Sequence, residues 1–362
     1  MNDGGAAEGA LVTDETAFRR LVETHEAELR AHCYQMLGSV QDAEDALQDT
    51  LLGAWRGLEA FEGRSSARTW LYRIATNACL KIIERRAKRV LPMDYGPAAD
   101  PHDDTAEPVA ESVWVEPFPD VGLGGDLAGP DARYELRESV ELAFVAALQN
   151  LPPNQRAVLI LREVLGFSAR EAAETLDTTT ASVNSALQRA RAAVDDRLPE
   201  QTQQATARAL GDDGVREVVD AYVDAWQRGD VQAVVGMLTE DAAFSMPPMS
   251  TWFGGREEIS EWLTRSPLSG DWDWKPLPVR ANGQPALAFY SWDQDEEAYL
   301  PFALNILTLR GRQISDVTAF IVRSTEIPDR ETMARMPEQP ADPGRLEAAF
   351  KNFDLPDKLE SE

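Results

Sequence analysis

Between Arg64 and Arg89 the chain carries eight basic residues, Arg64, Arg68, Arg73, Lys81, Arg85, Arg86, Lys88 and Arg89, against the single acid Glu84, a local charge of +7. Trp70 and Tyr72 lie among them, and a short polar loop, Glu62 to Ser66, precedes them. Cations that grip phosphates beside aromatic rings suit a single strand of nucleic acid whose unstacked base is captured in a pocket. Upstream, Asp42, Glu44, Asp45, Gln48 and Asp49 share a stretch with Leu47, Leu51, Leu52 and Trp55, an amphipathic helix with an acidic face. Taken alone, such a face is a solubilising one. A third group stands opposite the apolar stripe Val183, Leu187, Ala190 and Val194: Asn184, Ser185, Gln188, Arg189 and Arg191, with Ser182 beside them. Side chains of these types reach base edges and phosphates from a helix in a major groove.

These groups sit in a chain whose overall charge is unsuited to coating nucleic acid. With 35 Lys and Arg against 62 Asp and Glu the formal charge is −27, so any contact with DNA must be local. The 362 residues suffice for two or three domains at roughly 150 residues each. Only Cys33 and Cys79 occur, with no CxxC and three histidines, His25, His32 and His102. Neither a disulfide framework nor a Cys/His zinc site is available, no metal or other cofactor is expected, and the cysteine usage fits a reducing cytoplasm. MNDGGAAEGALVTDE at the start lacks a basic n-region and an apolar h-region, and no apolar run approaches the ~20 residues that span a bilayer. A cytoplasmic protein with no membrane partner is expected.

The elements that position the three groups follow from periodicity and punctuation. Residues 14–91 have helical periodicity from Ala17, Phe18, Leu21 and Val22 through to Trp70, Leu71 and Ile74. Residues 92–137 are rich in proline, and from Val90 to Glu138 there are 12 acids against Arg133 and Arg137, a net of −10. That composition predicts an extended, mobile linker, yet Trp114 and Phe118 in SVWVEPFPD are large apolar groups that a solvated linker does not need. They are expected to dock. Residues 138–200 form a second helical block with a helix-turn-helix layout: Ser168 and Glu171 make a capping box, and Thr179 caps the next helix. After a polar connector, Gln201 to Asp213, residues 212–325 turn to α+β. A helix at 215–227 ends at Gly229, Asp230 caps another, and strands follow at 242–246, 279–281, 286–292, 298–309 and 314–322, with Asn282-Gly283 as a hairpin turn. Six of the nine tryptophans, Trp226, Trp252, Trp262, Trp272, Trp274 and Trp292, fall in this block, which predicts a sheet curled around an aromatic-lined cavity or groove. The tail, 326–362, is proline-rich and charged, with Phe350, Phe353 and Leu355 available to pack back on the sheet or on another domain.

The segment DAEDALQDTLLGAWRGLEAFEGRSSARTWLYRIATNACLKIIERRAKR (42–89), followed about sixty residues later by the helix-turn-helix, resembles an extracytoplasmic-function (group 4) sigma factor of bacterial RNA polymerase. The block 215–323, with AYVDAWQRGDVQAVVGMLTEDAAFSMPP, resembles the SnoaL-like branch of the NTF2-like fold, and WVEPFPD resembles the linker of some sigma factors that carry that appendage. The resemblance implies a multidomain chain: two all-α sigma domains, region 2 at 14–91 and a region 4 helix-turn-helix at 138–200, plus a C-terminal α+β NTF2-like cone. It implies an alternative sigma factor that binds the β′ and β subunits of core polymerase and directs promoter-specific initiation, with the C-terminal domain as a built-in regulatory module. On the same resemblance the −10 element is assigned to Phe61, Gly63, Arg64, Ser65 and Ser66 in the loop, and to Thr69, Trp70, Arg73 and Asn77 along the helix. The −35 element falls to Ser182, Asn184, Ser185, Gln188 and Arg189, and the β′ coiled coil to Asp42, Glu44, Asp45, Gln48 and Asp49. One departure matters. Where many members carry basic residues early in the recognition helix, this chain has Asn184 and Ala186, so few phosphate contacts and weak duplex binding by the isolated domain are expected.

An NTF2-like cone can also support acid-base chemistry through a carboxylate in an apolar pocket. Asp241, Asp293 and Asp316 are the candidates, but no histidine lies beyond His102, and a turn or helix-cap role suits each. Phe244, Met246, Trp252, Trp262, Trp292 and Phe302 read as core and cone lining, or as a site for a small apolar ligand. A docking or regulatory module is expected rather than a catalyst. Two other classes remain: a helix-turn-helix regulator with a ligand-binding domain, and an NTF2-like enzyme fused to a DNA-binding unit. The linker charge suggests a regulatory scheme in which its acids compete with DNA for Arg64 to Arg89, while Trp114 and Phe118 anchor it to the third domain.

Overall fold

The structure is a computed structural model that describes residues 15–58, 61, 65–103, 113–121, 130–195, 197–322 and 350–360. The chain divides into two compact units: residues up to Arg89 with Gly122–Pro199, and Val90–Val121 with Glu200–Glu362.

The first unit is all helical. Helices α1 (Glu15–Leu37), α2 (Val40–Gly57) and α3 (Ala67–Ile83) pack around Leu29, Cys33, Tyr34, Met36, Leu71 and Tyr72, all fully buried. Ser39 caps α2 and Ser66 caps α3, each side chain accepting a backbone N–H of the first turn. His32 is buried against Thr76, Nε2 to Oγ1 at 3.0 Å, and burial lowers its pKa to about 3.

The same unit continues with α5 (Pro130–Ser139), α6 (Leu142–Gln149) and α7 (Pro153–Leu159), which runs on as a π-helical turn, Ile160–Val164. Then come α8 (Ala169–Thr175) and α9 (Thr180–Asp195). The capping box of Ser168 and Glu171 is complete, and Thr179 Oγ1 accepts the Ser182 N–H at 3.1 Å. Val183, Leu187, Ala190 and Val194 are buried as the stripe requires.

Buried polar groups join the two helical blocks. Arg156 donates to the carbonyls of Met36 and Leu151 and to both the side chain and the carbonyl of Gln149. Gln35 donates to Ser139, and Arg68 donates to the Leu165 carbonyl at 3.1 Å while lying over the rings of Tyr72 and Phe167. Gly38 has φ +66°, and a Cβ there would stand 3.0 Å from the Gln149 side chain. Glycine allows both the turn and the close approach.

The second unit is α+β. The sheet runs β2 (Trp252–Gly254), β1 (Leu238–Ser245), β6 (Gln313–Ile321), β5 (Ala298–Arg310), β4 (Gln284–Asp293), β3 (Trp274–Ala281), with β7 (Leu359–Glu360) beside the start of β5. Among the described strands of this sheet, only the β1–β6 pair is parallel. Helices α10 (Gln203–Gln227), α11 (Val231–Gly236) and α12 (Arg256–Arg265) cover one face around Tyr222, Trp226, Leu263, Leu287 and Phe289. Asn282 and Gly283, at φ 53° and 69°, form the expected hairpin turn. Phe350 and Phe353 are buried, Phe350 edge-on to Tyr290 with centroids 5.3 Å apart.

Two expectations are corrected. The connector 201–213 is largely helical: Thr202 caps α10, and Gly211, at φ 72°, is the break that separates residues 203–210 from the longer stretch. The described parts of the acidic linker are not free chain. Residues 90–121 belong to the second unit, begin with a short α4 (Pro92–Tyr95), and bury Val90, Leu91, Trp114, Val115 and Phe118. Phe118 exchanges two hydrogen bonds with Asn282, its N–H to Oδ1 and the Asn282 N–H to its carbonyl, both 2.8 Å. Asp120 accepts the Gly283 N–H at 2.7 Å and pairs with Arg280. Residues 130–137, at the other end, are helical in α5 of the first unit. The apolar residues spaced through the segment outweigh its charge, and the turn supplies partners for its backbone.

Candidate polymerase and nucleic-acid interfaces

Helix α2 presents its face one residue at a time. Glu44, Asp45, Gln48 and Asp49 are exposed, and the same side carries Leu52 and Trp55, 45% and 48% exposed, the largest apolar groups this helix leaves in solvent. Large exposed apolar side chains rimmed by charge mark a contact surface. Asp42 does not share that face. It is 2% exposed and pairs with Arg86 at 2.6 Å and Arg89 at 3.0 Å. Burying a carboxylate is tolerable only when it is paired in this way.

The basic segment is correspondingly thinner than its composition. Arg86 and Arg89 are committed to Asp42, Arg68 to Leu165 and the aromatic pair, and Lys88 to Asn150. Arg73, Asn77, Lys81 and Arg85 stand exposed on and just after α3. Thr69 is buried in the cap of α3, its N–H and hydroxyl both on Ser66 Oγ. Trp70 is half-buried against Phe61, centroids 4.8 Å apart. Ser65 is half-buried and Ser66 exposed, whereas Gly63 and Arg64 lie outside the described residues. Arg73, Asn77 and Lys81 recur every four residues and so lie along one side of α3, with Ser66 at its N-cap.

On the helix-turn-helix, Ser182, Asn184, Ser185, Gln188 and Arg189 are all exposed along α9. Arg191 pairs with Glu163 at 2.6 Å, which leaves Arg189 as the cation that this part of the helix offers.

Three family models cover these parts. Residues 21–89 match Sigma-70 region 2, residues 141–194 match Sigma-70, region 4, and residues 219–323 match the SnoaL-like domain. The ECF RNA polymerase sigma factor SigG of Mycobacterium tuberculosis is 42% identical over 306 residues, 84% of this chain and 81% of that protein. The chain belongs to the extracytoplasmic-function sigma factors. The RNA polymerase sigma-H factor of Pseudomonas aeruginosa is 31% identical over 185 residues, 51% of this chain and 88% of its own. The crystal structure of the Mycobacterium tuberculosis extracytoplasmic function sigma factor SigJ matches 90% of this chain and 99% of its own at a TM-score of 0.53 and 20% identity, a likeness of fold.

In this sigma factor the first unit therefore holds regions 2 and 4 and the second holds the SnoaL-like domain. No helix among the described residues is long and apolar enough to cross a membrane. The sheet of the SnoaL-like domain curls over a cavity of about 90 Å3 among Trp226, Trp262, Trp272 and Trp274. Trp252 and Trp292 lie elsewhere, on the Gly96 carbonyl and against Tyr299. None of the three candidate aspartates lines the cavity. Asp241 is exposed and paired with Arg310, whose hydrogen bond lowers its pKa. Asp293 caps the turn at Asp295 and Glu296, and Asp316, raised by burial, bonds Ser315. The cavity's polar side chains besides the indoles are Ser266 and Asn305, and sequence reading passed over Asn305. Its signal was one amide inside the apolar strand FALNILTL.

Proposed function

We propose that the chain binds core RNA polymerase through the exposed face of α2, reads the −10 element with the 61–66 loop and α3, and reads the −35 element with α9. The observation that carries this reading is α2: Glu44, Asp45, Gln48 and Asp49 beside solvent-exposed Leu52 and Trp55, on the domain that also displays Arg73 and Asn77. Promoter work of this kind places the protein in the cytoplasm. The C-terminal domain acts as a restraint on initiation and not as a catalyst. It holds residues 90–121, part of the covalent bridge between regions 2 and 4, through Phe118 and Asn282, and among the described residues no ionisable side chain lines its cavity. The acids of that bridge do not compete for Arg86 and Arg89, because Asp42 already pairs with both.

The test is binding to bacterial core polymerase by the full chain and by a Leu52→Glu, Trp55→Glu variant, both exposed positions whose substitution leaves the core intact. The natural chain should co-migrate with core polymerase, and the variant should bind at least tenfold more weakly with an unchanged helical spectrum. Equal binding by the two would remove α2 from the interface.

A further inference from the structure

The tip of the β3–β4 hairpin is covered. Connections between strands ordinarily run in water, yet Asn282 is fully buried and Gly283 is buried beside it. Two separate stretches of chain meet on this tip. In the first, Phe118 and Asn282 exchange their pair of hydrogen bonds, Pro119 bridges Ala281, and Asp120 Oδ1 accepts the Gly283 N–H at 2.7 Å. In the second, Gln204 Nε2 donates to the Gly283 carbonyl at 2.6 Å, while Gln203 pairs with both the N–H and the carbonyl of Leu309 on β5.

These stretches are the two ends of the chain that carries region 4. The chain leaves the second unit after Val121 and returns at Glu200, and the residues matched to region 4, 141–194, lie wholly between. On the return side three residues, 199–201, separate Leu198, whose N–H is bonded to Val194 at the end of α9, from Thr202, which caps α10. The two attachments also share parts. Arg280 donates through Nη2, at 2.8 Å, to the same Gly283 carbonyl that Gln204 uses, and through Nε to Asp120 at 3.2 Å. Loss of either attachment therefore strips support from the other, because groups in one hydrogen-bond network are energetically coupled.

We propose that Arg280, Asn282 and Gly283 form one clasp on both ends of the chain that carries region 4, so that the two ends are held and released together and the restraint on initiation acts through this turn. Asn282 and Arg280 are then positioning residues for −35 reading, acting through the chain they hold. The effect on initiation rests on reading the C-terminal domain as a restraint, whereas the joint release is a property of the second unit by itself.

The experiment measures hydrogen exchange of the full chain by mass spectrometry over peptides covering 113–121 and 203–210, with β5 as the internal standard. Asn282→Gly keeps the positive φ of the turn and removes the acceptor of the Phe118 N–H, and Gln204→Leu removes a donor to Gly283. Each touches one attachment directly. Each should speed exchange about tenfold in both peptides, the effect of roughly one lost hydrogen bond, with β5 unchanged. If a variant also speeds exchange in β5, Arg280→Ala, at a side chain 42% exposed, takes its place with the same expectation. Loosening of the directly touched segment alone, or of neither, would overturn the clasp. In transcription with core polymerase, full-length variants loosened at both ends should approach the yield of a chain ending near Arg208. If the shortened chain gives more than the natural one and these variants do not, the restraint acts elsewhere and the proposal is overturned. If the shortened chain gives no more than the natural one, the restraint reading is what fails, and the exchange result decides the clasp by itself.

Discussion

Asp42 carries a structural duty on a helix otherwise turned toward solvent. Its carboxylate answers two guanidiniums, one of them on Arg89, 3% exposed. Asp42→Ala leaves Arg89 buried without that partner and should destabilise the first unit by about 3–5 kcal/mol, read as a lower urea midpoint, whereas Glu44→Gln and Asp49→Asn should leave the midpoint unchanged. His32 gives the unit a pH dependence. Its folded pKa, about 3, lies below the unfolded value near 6.5, so above pH 6.5 both states are neutral and nothing is lost. Below it the unfolded chain takes up the proton first, and stability falls by about 1.4 kcal/mol per pH unit until the folded value is reached. Between pH 6.5 and 5 the loss should be about 2 kcal/mol by urea denaturation, and His32→Gln should flatten that slope. The duty of Asp42 was invisible in the sequence for a simple reason. Which face of an acidic helix is buried depends on partners 44 and 47 residues further along, Arg86 and Arg89, and spacing within the helix cannot report them.

The elements with local determinants were legible. The second helix of the helix-turn-helix has its cap, its stripe and its polar face in one run of residues, and the structure keeps all three. The Asn-Gly hairpin is equally local. Helix 203–210 was not legible, because its buried residues, Gln203, Gln204 and Thr206, are polar, and the two glutamines are satisfied by contacts over 75 residues away, Gln203 with Leu309 and Gln204 with Gly283. At the element scale the recognition helix makes a specific forecast. Arg191 is held by Glu163, so Arg189 supplies the phosphate or base-edge cation. Arg189→Ala should weaken −35-dependent promoter binding by the polymerase complex and lower the slope of log affinity against log salt by about 1. Arg191→Ala should leave that slope within half as much of its natural value.

Across the whole molecule the instructive segment is 90–121. Composition marked it as a solvated linker, and its eight acids with no Lys or Arg pointed the same way. Trp114 and Phe118 were the contrary signal, and the fold sides with them: both are buried, Phe118 pairing with Asn282 of the SnoaL-like domain, while Asp94, Asp100 and Asp103 stay at the surface and Asp120 finds Arg280 and a turn N–H. The segment joining regions 2 and 4 thereby becomes part of a third domain. Regions 2 and 4 are also held to one another by Arg156 and Arg68. Regions 2 and 4 thus share one compact unit. The sequence supplied the order of the domains. It could not supply this interleaving, which depends on what the hairpin at Asn282 offers to a segment more than 160 residues earlier.

The most direct measurement is transcription from a pool of genomic fragments by bacterial core polymerase, comparing the full chain, a chain ending near Arg208, and core alone. The account predicts discrete start sites absent from core alone, shared by both versions, with greater yield from the shortened chain because its 90–121 segment has lost its holding surface. If neither version binds core or yields a start site, the promoter role is contradicted. If both yield the same starts in equal amount, the restraint by the C-terminal domain is.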